Sequence, residues 1–182
     1  VALQADVSKE DEVARLFESF DREFGALSAL VNNAGVLEQQ MRVEDMTRGR
    51  LERIFATNVF GAFACAREAV RRMLPKKQGV MLFTGASASV KGYAQSAPFA
   101  MGKFALRGLA QSIARELQPQ GIHVAHFVID GGIRSAVRPV PAESPDSLLD
   151  PDAIAQNYLN VLQQHRSAWT WEIELRPWVE KF

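Results

Sequence analysis

The sequence predicts an α/β fold: a mostly parallel sheet with helices on both faces. Three observations predict it. Short apolar runs of strand length alternate along the chain with segments of helical periodicity. Two of these runs, Gly79–Thr84 (GVMLFT) and residues 123–129 (HVAHFVI), are apolar enough to be buried on both faces, as strands of a parallel sheet are. The chain also has 182 residues, 47% of them apolar and 23% charged, which suits one globular domain with a core of its own.

Taken in order, residues 1–7 (VALQADV) read as a short strand. Ser8 is the expected cap of the helix that follows, with Asp11 completing a variant capping box. Val13, Leu16, Phe17, Phe20 and Phe24 then recur at helical spacing, and Gly25 ends the helix. Residues 29–31 are a strand that runs into Asn32-Asn33-Ala34-Gly35, followed by a looser segment through Met46. Thr47 is the expected cap of a helix carrying Leu51, Ile54 and Phe55, and a second helix spans about 58–73 before Pro75 stops it. Arg71, Arg72, Lys76 and Lys77 crowd its carboxyl end, where positive charge complements the helix dipole. After the strand at 79–84, a helix covers about 98–117 and Pro119-Gln120-Gly121 breaks it. The strand at 122–129 turns through Asp130-Gly131-Gly132 into a proline-rich stretch, 139–151. A last helix begins at Asp150-Pro151-Asp152, and 168–175 (AWTWEIEL) alternates as a final strand. No internal repeat or second domain is visible.

Charge removes some function classes. Lys plus Arg equals Asp plus Glu at 21 each, so there is no electrostatic reason to expect nucleic acid or an anionic membrane as partner. No apolar run reaches the roughly 20 residues of a membrane span, and no leader is read at the start. Cys65 is the only cysteine, so no disulfide forms within the chain; a reducing, cytoplasmic setting is expected, with Cys65 a buried inert thiol. His123, His126 and His165 lack metal-ligand spacing and no metal is expected; the first two read as core histidines.

Asn32-Asn33-Ala34-Gly35 has a physical logic at the carboxyl end of a parallel strand. Ala34 and Gly35 present almost no side chain, so a flat nucleoside can approach the backbone, and the asparagines can bond neighbouring backbone. Together with Thr57-Asn58, with Lys103 on a helix after a Gly-Ala-Ser turn, and with residues 129–135 (IDGGIRS), this string resembles the short-chain dehydrogenase/reductase family. The resemblance runs along nearly the whole chain. It implies a Rossmann-like sheet and an NAD(P)-dependent oxidoreductase acting on a carbonyl/alcohol pair. It implies that Asp6 and Val7 lie beside the adenine, that Asn33, Ala34 and Gly35 flank the cofactor, and that Lys103 bonds the ribose. It also implies that Gly131, Ile133 and Ser135 hold the nicotinamide, and that Asn58, Ser87 and Lys103 belong to the catalytic set. The matching helices of the family pair across a two-fold axis. A homodimer through 58–73 and 98–117 is therefore expected, with Gly61, Ala62, Ala66, Gly102, Ala105 and Gly108 permitting close approach.

Two departures from the pattern matter. Phe99 stands four residues before Lys103, where the family has the tyrosine that protonates the substrate oxygen. The serine position thirteen residues before it is Ala86, with Ser87 beside it, Ser89 a second candidate and Tyr93 the nearest tyrosine. No glycine-rich phosphate loop occurs, so the first βαβ unit is lacking. The chain reads as one incomplete dinucleotide-binding domain, 1–182, expected to be part of a longer reading frame because position 1 is Val. These residues alone are expected to bind NAD or NADP weakly or not at all. A non-catalytic relative that binds or scaffolds is the competing expectation. The strand at 1–7 is left either two strand widths from its neighbour or shifted inward beside 29–31.

Overall fold

The computed structural model describes residues 1–37 and 40–180; the middle of the segment expected to be looser, Glu38 and Gln39, lies outside them. Four parallel strands form one sheet in the order β1 (Ala29–Asn32), β2 (Gly79–Thr84), β3 (Ile122–Ile129), β4 (Glu172–Leu175). β3 is buried at every position and β2 at most, which is why both read as unbroken apolar runs.

Helices cover both faces. α1 (Glu10–Phe24), α3 (Ala62–Met73) and α4 (Ala97–Leu117) enclose a core of Val13, Phe17, Ala69, Met81, Phe83 and Leu106. α5 (Pro151–Leu162) covers the other face over Leu82, Ala125, Phe127 and Val161. Asp150 caps α5, accepting from the Asp152 N–H at 2.8 Å. α2 (Arg48–Phe55) begins at Thr47, whose hydroxyl accepts from the Arg50 N–H at 3.4 Å, as expected. It does not stop before α3. A six-residue π-helical turn, Ala56–Gly61, joins the two into one rod and contains Asn58.

The start of the chain differs from expectation. Residues 1–7 form no strand, because the strands that would pair with them are not part of this sheet and a lone strand leaves its backbone groups without partners. Nor does the strand move beside β1, which is an edge of the sheet with Val31 exposed on it. Ser8 does not cap α1; Lys9 stands there and makes no side-chain cap. The job passes to Asp6, whose carboxylate accepts from the Ser8 N–H and hydroxyl at 3.0 and 2.7 Å, while Glu12 reaches back to the Asp6 N–H at 2.8 Å. β4 is shorter than the alternating pattern at 168–175. Residues 169–171 are diverted because the Gln164 side chain takes the Thr170 N–H at 2.8 Å and Trp169 stacks on His123 at 4.8 Å.

The small residues of the helix pair also behave differently. Gly61, Ala62, Ala66 and Gly102 are buried within the chain. A Cβ on Gly61 would sit 2.8 Å from the Val7 carbonyl oxygen, and one on Gly102 would sit 3.1 Å from Ile54. Their small size lets α4, the π turn and residue 7 pack inside one protomer. The outward face carries Phe60, Phe63, Met101 and Phe104 instead, all exposed.

Candidate active site

The carboxyl ends of β1 and β2 meet the middle of the α2–α3 rod and the start of α4. The loop leaving β1 is fixed by Asn58. Its amide nitrogen donates to the Val36 carbonyl at 3.0 Å and its amide oxygen accepts from the Val36 N–H at 2.7 Å. The π turn supplies the placement: one extra residue in the turn displaces a side chain from the regular helical path, and such turns recur at functional sites. Asn58 is almost fully buried, so both bonds lie in a dry setting.

Lys103 enters from α4. Its ammonium donates to the Thr84 carbonyl at 2.9 Å, at the end of β2. Burial lowers its pKa to about 8, because the charged form loses its water. Gly35 is where the two residues converge. A Cβ there would lie 3.4 Å from the Asn58 amide oxygen and 3.7 Å from the Lys103 nitrogen. Gly35, Asn58 and Lys103, three residues singled out from the sequence, are thus brought together. The Phe99 ring centroid is 5.7 Å from the same nitrogen, a cation–π distance, with no hydroxyl where the pattern leads one to look for a phenol.

A cavity of about 340 Å³ opens beside Phe99, and Ser87 and Tyr93 line it. Ser87 begins a 3₁₀ turn, Ser87–Ser89, and its carbonyl accepts from the N–H groups of Val90 and Lys91. Ser89 is fully buried, accepting from the Ala86 N–H at 3.1 Å, and so serves the turn rather than the cavity. Tyr93 is about half exposed, its carbonyl held by the Ser96 N–H and hydroxyl.

The residues expected around a dinucleotide are less gathered. Val7, Asn33 and Ala34 line one apolar groove of about 500 Å³ along the free edge of β1, together with Phe17, Phe20 and Leu27. Asp6 is not among that groove's lining residues, and its hydrogen bond from Ser8 holds its carboxyl below the usual range. Gly131, Ile133 and Ser135 lie on the loop that leaves β3. Gly131 has φ +148, where a Cβ would come within 2.8 Å of Pro177; Ile133 bridges to Leu149 and Ser135 to Arg138.

Sequence reasoning missed one pair beside the cavity. Asp130, buried at the end of β3, accepts from the Lys91 ammonium at 3.1 Å. Lys91 belongs to the loop carrying Ser87 and Tyr93, so the pair fastens that loop to the sheet. The only signal was the aspartate at the family's proline position. His126 and Glu172 were likewise unpaired on paper. His126 Nδ1 lies 3.0 Å from the Glu172 carboxylate, which Arg107 grips with two bonds of 2.6 and 2.8 Å. The expectation of core histidines fits His126 and also His123, whose Nε2 lies 2.8 Å from the Thr170 carbonyl. Among the described residues no group of three or more His, Cys, Asp or Glu can hold a metal. Cys65 is buried and its thiol is pushed up by that burial, as an inert thiol should be.

A sequence profile of the family described as short chain dehydrogenase matches residues 1–139. The chain belongs to the short-chain dehydrogenase family. It is 37% identical over 126 residues to the uncharacterized oxidoreductase YgfF of Escherichia coli, covering 67% of this chain and 51% of that protein. It is 29% identical over 188 residues to a farnesol dehydrogenase of Aedes aegypti, covering 100% of this chain and 76% of that one. A short-chain dehydrogenase from Rhodopseudomonas palustris superposes with a TM-score of 0.84 at 35% identity, over 98% of this chain and 74% of that chain. An alcohol dehydrogenase from Thermococcus sibiricus, solved with 5-hydroxy-NADP, shares the fold with a TM-score of 0.84 at 20% identity. The chain spans about half the length of several of the relatives it matches. No helix among the described residues is long and apolar enough to cross a membrane.

Proposed function

We propose that the chain carries the substrate side and the nicotinamide side of an NAD(P)-dependent oxidoreductase interconverting a carbonyl and an alcohol. The observation behind this is the meeting of Asn58 and Lys103 at Gly35 beside a closed-floored cavity holding a serine. The fit to a dinucleotide can be weighed residue by residue. The Lys103 ammonium has three donors, one of which goes to Thr84, and Gly35 leaves its neighbourhood free of a side chain. That suits a sugar bearing hydroxyls. Val7 and Ala34 offer an apolar wall that suits a flat base. No glycine-rich loop in these residues offers backbone N–H groups to a pyrophosphate.

When bound, the nicotinamide supplies the hydride to the carbonyl carbon. The chain's own residues do the rest. The Ser87 hydroxyl, at the cavity wall, orients the substrate oxygen by donating to it. Asn58 keeps the loop after β1 at fixed height, so that Gly35 and Lys103 face one another. Phe99 has no transferable proton, so protonation of the oxygen falls to Tyr93 or to a water, and turnover is expected to be slow. General acids contribute roughly 10²- to 10⁴-fold where they are present.

The exposed aromatic face of the α2–α3 rod and α4 (Phe60, Phe63, Phe104) is the proposed homodimer surface, with a cytoplasmic setting proposed on the lone buried thiol. The test of the main reading uses the full-length protein. Dinucleotide binding is followed by tryptophan fluorescence, and reduction of a ketone panel by loss of NADPH or NADH absorbance. Binding of at least one dinucleotide with slow ketone reduction is expected; binding of neither would overturn the reading.

A further inference from the structure

The chemistry of the 340 Å³ cavity beside Phe99 goes further than the reaction class. Its floor is apolar: Ile54, Ala88, Pro98 and Phe99 line it, and Ile54 and Ala88 are fully buried. Its mouth is set by two chain segments that are tied together, because the Met41 N–H donates to the Gln95 carbonyl at 2.9 Å. Leu37 and Gln40 stand on one side of that tie, Tyr93 and Gln95 on the other. Among the described residues that line the cavity none is charged. The polar groups present are hydroxyls and amides, which can each bond one neutral oxygen or N–H but cannot neutralise an ion.

We propose that the substrate is a small uncharged ketone or secondary alcohol with an apolar body, and that ionised substrates are rejected. This rests on the oxidoreductase reading above. The size argument is direct. About 340 Å³ is at the lower end of ligand-site volumes, and amounts to about eleven waters at roughly 30 Å³ each. A single ring with a short side chain fills it; a sugar phosphate or a nucleotide does not. The charge argument is sharper. A carboxylate or ammonium drawn onto this floor would give up its hydration and meet Phe99, Ile54 and Pro98 in return, a transfer that proteins permit only when the ion is paired. Phe99 deepens the effect, since it replaces a phenol with a bare ring at the cavity's inner wall. One polar atom on the ligand is accommodated by Ser87 and Tyr93. A second one deep in the cavity would leave an amide or hydroxyl bond to water unreplaced.

The test is equilibrium binding by calorimetry to the full-length protein without dinucleotide, so that its outcome does not depend on turnover. The probes share one skeleton: 4-phenyl-2-butanone, its para-carboxylate and its para-aminomethyl derivative, the last an ammonium at neutral pH. The neutral ketone is expected to bind at least about tenfold more tightly than either ion. Ala88→Leu should fill the floor and weaken the neutral ketone by a similar factor. Leu37→Arg, at an exposed rim position that the fold does not rely on, should improve the carboxylate relative to the ketone. Equal or tighter binding of either ion to the unmodified protein overturns the proposal. So does ketone binding that is unchanged in a folded Ala88→Leu protein. If the neutral ketone binds selectively but no dinucleotide-linked reduction follows, the cavity chemistry stands and the oxidoreductase reading falls. If reduction proceeds but favours the charged ketones, the reverse holds.

Discussion

Replacing Lys103 by Met should make the protein more stable at neutral pH. The ammonium is buried among α4, β2 and the Gly35 loop, and burial alone lowers its pKa from 10.5 to about 8. A difference of that size, at about 1.4 kcal/mol per unit, means that holding the charged form inside costs the native state about 3 kcal/mol. Its one printed bond, to the Thr84 carbonyl, returns roughly 0.5–1.5 kcal/mol of that. Methionine matches the length of the side chain without the charge, so Lys103→Met should gain about 2 kcal/mol at pH 7. The sign with pH is fixed. Below about pH 8 the lysine is protonated in both states and the full penalty is present. Between 8 and 10.5 the unfolded chain binds more protons than the native one, so the native state of the unmodified protein gains stability as pH rises. The difference between the two proteins should therefore shrink to under about 1 kcal/mol by pH 10. Urea unfolding of both proteins at pH 7, 8, 9 and 10 reads it directly, with the slope against urea unchanged. A Lys103→Met protein that is less stable at pH 7, or a difference that does not shrink with pH, would refute the reasoning.

Three other outcomes follow. Phe99→Tyr places a phenol one helical turn from Lys103, 5.7 Å from the present ring centroid, and should raise ketone turnover by roughly 10²-fold or more; Lys103→Met in that background should abolish the gain, and an unchanged rate in Phe99→Tyr would point to Tyr93 or a held water as the acid. Lys91→Met leaves the buried Asp130 carboxylate without its partner and should cost about 1–3 kcal/mol, whereas Lys91→Met with Asp130→Asn should recover most of it; equal losses in single and double variants would show that the pair does not act as a unit. Gly85→Ala would put a Cβ 2.3 Å from His126 Nε2 and 2.7 Å from the Phe127 carbonyl oxygen, so a loss of about 1–3 kcal/mol is expected in urea unfolding; a neutral result would mean that His126 moves freely.

What could be read from the sequence depended on how local its cause is. Gly79–Thr84 and Ile122–Ile129 were visible because a strand buried on both faces must be apolar at every position. The caps at Thr47 and Asp150 were visible because the donor and acceptor lie within three residues. Residues 1–7 have the composition of a strand, but a strand needs partners, and composition does not say whether they are there. Asn58, Lys103 and Gly35 were found through the family resemblance; the π turn that aims Asn58 has no sequence signature. Lys91 and Asp130 are 39 residues apart, each unremarkable alone, and only the sheet brings them together. The small residues of the helix pair were seen correctly and assigned to the wrong neighbour. Small size announces close packing, not which surface does the packing.

The two bonds from Asn58 to Val36 have a consequence for how the crevice is built. A side-chain amide is chemically a peptide group, one donor and one acceptor held in a plane. Here a helix lends such a group sideways to a loop, which receives from it what a neighbouring strand would otherwise give. The height of the loop above the sheet is then dictated by the rod of α2 and α3, a rigid body, rather than by the loop's own residues. An aspartate at 58 would have the same shape but two acceptors, and would face the Val36 carbonyl with like polarity. The loop is in effect a rung on a ladder whose other rail is a helix, and the crevice inherits the helix's stiffness.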